Sequence, residues 1–136
     1  MPVLNSKPLL EGRANGPLLK LSADISFWGG VDPQTGKIID SRHPEHGRTI
    51  CGKILAMDRS IGSSSGSSIL LELLQNDRGP LGIILLQPDF IITLGAVVAR
   101  EMGFAAIPVV QVDREAFAAL ADGVTLQLDG EVIQVG

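Results

Sequence analysis

Residues 81–86 read Leu-Gly-Ile-Ile-Leu-Leu, six positions in a row without a polar side chain. A strand with one wet face alternates apolar and polar residues, so an unbroken apolar run of this length belongs to a strand buried on both faces. Such strands sit in parallel sheets covered by helices. The flanking sequence has that character. Ile69, Leu70, Leu73 and Leu74 recur at helical spacing, and the turn-forming residues 76–80 end that helix before the run begins. After the run, Thr93 has the chemistry of a helix cap, with a helix expected over residues 94–102 that stops at Gly103.

Extended segments occupy both ends. Residues 18–22, 25–28, 37–40, 49–57 and 107–112 read as strands, and residues 114–121 as a short helix. Residues 124–135 divide into two alternating strands around Asp129-Gly130, a hairpin turn pair. Strands alternating with helices in the middle and extra strands at the ends predict an α/β fold: a parallel sheet core with flanking antiparallel strands. With 136 residues there is room for one domain, spanning 1–136.

Composition removes several functions. Lys and Arg total 11 against 15 Asp and Glu, a net charge of −4 without a dense basic run, which argues against nucleic acid as a partner. Cys51 is the only cysteine, so the chain forms no internal disulfide and cannot hold an iron–sulfur cluster or thiolate zinc site by itself. Flanked by apolar residues, Cys51 reads as a small buried hydrophobe. Residues 1–20 lack the basic-then-apolar layout of a signal peptide, and no apolar run approaches the roughly 20 residues that cross a bilayer. A cytoplasmic protein without a membrane partner is expected.

The chemistry concentrates at Gly62-Ser63-Ser64-Ser65-Gly66-Ser67-Ser68, between a strand and an amphipathic helix. Backbone amides in the first turn of a helix have no intrahelical partner, and the helix dipole favours an anion beside them. Glycines let backbone approach a ligand, and the hydroxyls add donors. No Gly-Lys-Ser/Thr follows at the spacing of a phosphate loop, so nucleotide hydrolysis is not supported. A hydrolase triad is also unsupported, because the two histidines, His43 and His46, stand close together in one loop. That loop, Asp40-Ser41-Arg42-His43-Pro44-Glu45-His46, has metal-ligand residue types, but Pro44 breaks helical spacing and a polar loop is the preferred reading. Phe27-Trp28-Gly29-Gly30 reads as core followed by a turn.

Phe27-Trp28-Gly29-Gly30-Val31-Asp32-Pro33, Thr35-Gly36-Lys37-Ile38-Ile39-Asp40, His43-Pro44, Gly47, the serine tract and Leu94-Gly95-Ala96-Val97-Val98-Ala99, in that order, resemble the small, swivel-domain subunit of the aconitase X family. The resemblance implies a swivelling β/β/α domain. It implies a heteromeric dehydratase whose separate large subunit carries an iron–sulfur cluster or a metal, with no cofactor bound by this chain. In aconitase-like enzymes a serine from a Gly-Ser-Ser turn abstracts a proton while the cluster acts on the leaving hydroxyl. The matching stretch gives Ser63 the base role, with Ser64 next in register, and leaves Gly62, Ser64, Ser65 and Gly66 to bind substrate. Aconitase proper has an arginine after its serines where this chain has Ser65, which reads against tricarboxylates. The family's substrates are cis-3-hydroxy-L-proline and 5-phosphomevalonate, small molecules bearing carboxylate or phosphate. At 19% charged residues the chain lacks the Lys/Glu enrichment of hyperthermophile proteins, and a moderate-temperature source favours hydroxyproline. The competing reading is a non-catalytic anion-binding or regulatory module, which needs the tract's amides but no reactive hydroxyl.

Overall fold

A computed structural model describes residues 3–62 and 65–136. Within them the parallel core consists of β3 (Arg13–Lys20), β4 (Ile54–Met57), β5 (Gly82–Leu85) and β6 (Val109–Gln111), paired in that order. The antiparallel strands flank it, as the sequence pattern predicts. On one side β2 (Lys7–Leu10) pairs with β6; on the other β7 (Thr125–Asp129), β8 (Val132–Val135) and β1 (Val3–Asn5) follow β3. The long strand β3 joins the halves by changing partner: Arg13 to Pro17 pair antiparallel with β7, and Leu18 to Lys20 pair parallel with β4.

The apolar run does what its composition requires. Ile83, Ile84 and Leu85 are all fully buried, and adjacent residues serve different cores. Leu19, Leu55, Met57, Ile83 and Leu85 pack beneath α2 (Gly66–Gln75) and α3 (Phe90–Glu101), against Leu70, Leu73, Ile92 and Ala96. On the other face Leu18, Ile54, Ala56, Ile84 and Val110 meet Leu126, Leu128 and Ile133 of the antiparallel half, with Ala116 of α4 (Arg114–Ala119). A Cβ on Gly82 would stand 3.0 Å from Leu128 Cδ1, so the antiparallel half folds directly over β5. The layers therefore run β/β/α, the order expected of the swivel fold.

Several local expectations are corrected. Residues 25–28 do not form a strand: Ile25 makes one bridge to Ser60, and Phe27–Gly30 form a kinked turn, α1, in which Gly29 takes φ +81°. Phe27 is buried, but Trp28 is 63% exposed rather than core. The strand expected over 49–57 shortens to β4 because Cys51 and Gly52 make a turn, with Gly52 at φ +72°. Cys51 is half-buried there, its thiol 3.8 Å from the Asp77 carbonyl oxygen, and is not the enclosed hydrophobe expected. Residues 37–40 supply only isolated bridges from Lys37 and Ile38. Asp89, not Thr93, caps α3, which starts at Phe90; Thr93 instead donates its hydroxyl to the Asp89 carbonyl oxygen one turn back. No helix among the described residues is long and apolar enough to cross a membrane.

Asp122 ties the two halves together, accepting from the Lys20 amide at 2.9 Å and from Arg48 Nη1 at 3.0 Å. Burial acts to raise its carboxyl, but the Lys20 hydrogen bond, the Arg48 guanidinium and the Lys53 charge outweigh it and hold the group below its usual value. A depressed folded-state value gives stability that is present above the unfolded carboxylate range, about pH 4, and is lost as pH falls through the folded value. Asp122→Asn should therefore lower stability at pH 7 by up to ~1 kcal/mol, as for other half-exposed pairs. In urea titrations the gap between variant and parent should shrink as pH approaches 3.

Candidate active site

All four parallel strands end on the same side of the sheet, where open α/β sheets place their ligands. β3 leads there into the segment before α1, β4 into the serine turn, and β5 into the cap of α3. The β4 connection is held at several points. Ser60 bridges to Ile25, and the Ile61 amide donates to the Ile25 carbonyl at 2.9 Å. Gly62 takes φ +98°, which favours glycine, and a Cβ there would lie 2.5 Å from Ser26 Oγ and 3.1 Å from Ser26 Cβ, so a larger residue would strain the backbone and push the Ser26 side chain aside. Ser26 itself is fixed, its hydroxyl donating to the Trp28 carbonyl at 2.9 Å.

Across the turn, Ser65 takes φ −63° and ψ −14° at the start of α2 and is half-buried, and Gly66 is buried. A Cβ on Gly66 would sit 3.7 Å from Ile91 and 3.8 Å from Phe27, which lets the α2 N-terminus enter between α1 and α3. Helices α2 and α3 approach closely at Gly95, where a Cβ would meet the Ser67 carbonyl oxygen at 2.7 Å. Ser63 and Ser64, the residues given the base role, lie outside the described residues. Their flanks are described: Gly62 follows β4 and lies against Ser26, and Ser65 leads into α2. Exposed apolar side chains adjoin these residues along the chain: Ile61 before Gly62, Trp28 after Phe27, and Phe90 before Ile91.

The His43 loop is joined to the same region. His43 is buried, and its Nδ1 accepts the Glu45 amide at 3.1 Å. Its Nε2 lies 3.0 Å from the Ala23 carbonyl, which can only accept, so Nε2 donates. The buried Glu45 carboxylate accepts from the Ser22 amide at 2.6 Å and from the Ser22 hydroxyl at 3.1 and 3.0 Å. These bonds hold residues 22 and 23, on the path from β3 to the Ser26 segment that meets the serine turn. His46 is exposed. Among the described residues no three His, Cys, Asp or Glu side chains converge to hold a metal ion.

Two features of the corner escape a reading of the sequence. The cap at Asp89 is hidden by Thr93 four positions on, whose hydroxyl gives the same cap signal. The contact of Ser26 with Gly62 joins residues from separate loops and has no local signature.

The family described as "Aconitase X swivel domain" matches residues 3–135. The chain belongs to that family. The crystal structure of Thermococcus kodakaraensis aconitase X in its holo-form contains a chain that superposes with a TM-score of 0.89 at 30% identity, over 100% of this chain and 99% of that one. Among sequences, this aconitase X swivel domain is 45% identical over 103 residues to a cis-3-hydroxy-L-proline dehydratase of Pseudomonas aeruginosa, covering 76% of this chain and 18% of that protein. It is 34% identical over 129 residues to the phosphomevalonate dehydratase small subunit of Methanothermobacter thermautotrophicus, covering 94% of both. The chain thus spans less than a fifth of the hydroxyproline dehydratase it matches and nearly the whole of the small subunit.

Proposed function

We propose that this chain is the small subunit of a heteromeric aconitase X-type hydro-lyase, that Ser63 is its catalytic base with Ser64 the alternative, and that cis-3-hydroxy-L-proline is the substrate. The observation that carries the reading is the setting of the serine tract: in a member of this family, its described flanks Gly62 and Ser65 lie between β4 and the N-terminus of α2. A serine hydroxyl ionises far above neutral pH and needs surroundings that favour its alkoxide, which first-turn amides and the helix dipole provide. Gly62, Ser64, Ser65 and Gly66 are assigned to substrate, whose carboxylate suits the same positive helix end.

The partner is a large subunit, equivalent to the four-fifths of the Pseudomonas protein that this chain does not match. Any iron–sulfur cluster or metal is assigned to that subunit, a reading supported by the single cysteine of this chain and by the lack of three converging His, Cys, Asp or Glu side chains among the described residues. Trp28, Ile61 and Phe90 give the large subunit an apolar rim around the serine turn, so that substrate is enclosed between the chains. Hydroxyproline is preferred because identity is 45% and 48% to two hydroxyproline dehydratases and 34% to the Methanothermobacter small subunit. The near end-to-end match to that small subunit favours 5-phosphomevalonate as the second reading.

Assays of the assembled complex on both substrates decide between them. The kcat/KM for cis-3-hydroxy-L-proline should exceed that for 5-phosphomevalonate by at least ~10²-fold, since a site built around one substrate's polar groups discriminates strongly against another's. The reverse preference would transfer the assignment to the mevalonate-derived substrate.

A further inference from the structure

We propose that Asp89 is a positioning residue for the serine turn, acting through Ser60; the inference rests on the base reading given above. Asp89 is one of three buried polar or charged residues among those described, with His43 and Glu45. A helix cap needs one acceptor atom, and Asp89 supplies it with Oδ1, which accepts the Ile91 and Ile92 amides at 3.1 Å each. Its other oxygen points away from the helix it caps. Oδ2 accepts the Ser60 amide at 2.8 Å and also a short hydrogen bond from the Ser60 hydroxyl.

The carboxylate thus collects four donors, two from α3 and two from a residue only three positions before Ser63. Because α3 is fixed to α2 at Gly95, this link ties the entry of the turn to the same rigid pair that carries its exit. Proton transfer demands a narrow range of positions, and the described ends of the tract, Ser60 to Gly62 on one side and Ser65 on the other, are where the fold can impose it. Gly62, on the entry side, lies against Ser26.

Asp89→Asn separates the two duties. The amide keeps one acceptor oxygen, enough to cap α3, and sets an NH2 donor against the Ser60 amide, itself a donor, leaving only the Ser60 hydroxyl able to turn and accept. Asp113→Asn is the control: it alters an equivalent cap, that of α4, whose Oδ1 accepts the Ala116 amide at 2.8 Å on the other face of the sheet. The measurements are kcat, KM and Tm of the assembled complex for both variants, with Asp89→Asn also made in the Ser63→Ala background. Asp89→Asn should lower kcat on the order of 10-fold with KM little changed, while Asp113→Asn lowers only Tm. In the Ser63→Ala background the further kcat loss should vanish, since a positioning residue has nothing left to position. An Asp89→Asn complex whose only defect is a lower Tm overturns the proposal, as does a kcat loss that persists in full without the Ser63 hydroxyl. The Ser63→Ala single variant reports separately on the base reading: if it loses kcat while Asp89→Asn does not, only the Asp89 role falls.

Discussion

Ser63→Ala in the assembled complex should lower kcat by at least ~10²-fold, the low end for general acid–base catalysis, while KM changes little. The asymmetry follows from what the substitution removes. A base that takes a carbon-bound proton matters only where charge is moving, in the transition state. In the proposed site, substrate binding is assigned to the amides and dipole at the α2 N-terminus, which the substitution leaves in place. A non-catalytic anion cradle predicts the opposite split, because losing one neutral hydrogen bond costs binding about 0.5–1.5 kcal/mol and leaves turnover at saturation intact. Ser64→Ala, measured alongside, fixes the register: the larger kcat loss identifies the base.

Leu55→Ala should destabilise the domain by about 2–5 kcal/mol, the range for emptying a fully buried leucine site. Leu55 is at 0% exposure in β4, with Leu19 and Ile83 opposite it on the neighbouring strands and the α2–α3 layer above. The sheet on either side is hydrogen-bonded and closes poorly onto a void, so the site cannot collapse cheaply. Urea denaturation should show the loss as a lower midpoint with an unchanged slope. A change below 1 kcal/mol would mean that β4 is not the packed centre of the fold. The effect bears on function because β4 delivers the chain to Ser60 and the serine turn.

The parallel core was legible because its signal is local. Residues 83–85 are apolar without interruption and are buried on both faces, and Asp129-Gly130 marks the β7–β8 turn, where Gly130 takes φ +60°. Edge strands β1 and β2 were not legible: Asn5, Lys7 and Pro8 protect an exposed edge and thereby erase the apolar pattern that reveals a strand. Trp28 misled for a related reason. Its size suggests core, but the Gly29 kink turns the backbone so that Phe27 goes in and Trp28 stays out. At the site, the serine tract and its strand-to-helix setting could be read directly. The Asp89–Ser60 link could not, because it joins residues 29 positions apart and depends on where α3 begins. The His43 loop reads as polar despite its metal-ligand residue types, and it too is held by contacts that the sequence does not show: His43 bonds to the Ala23 carbonyl and Glu45 to Ser22.

The central claim, that this chain completes the catalytic unit of a dehydratase, is tested most directly by titration. Purified large subunit is held at fixed concentration, this chain is added, and loss of water from cis-3-hydroxy-L-proline and 5-phosphomevalonate is followed. Neither protein alone should turn over either substrate, and activity should rise with added chain and saturate at a fixed stoichiometry. Full turnover by the large subunit without this chain would contradict the account.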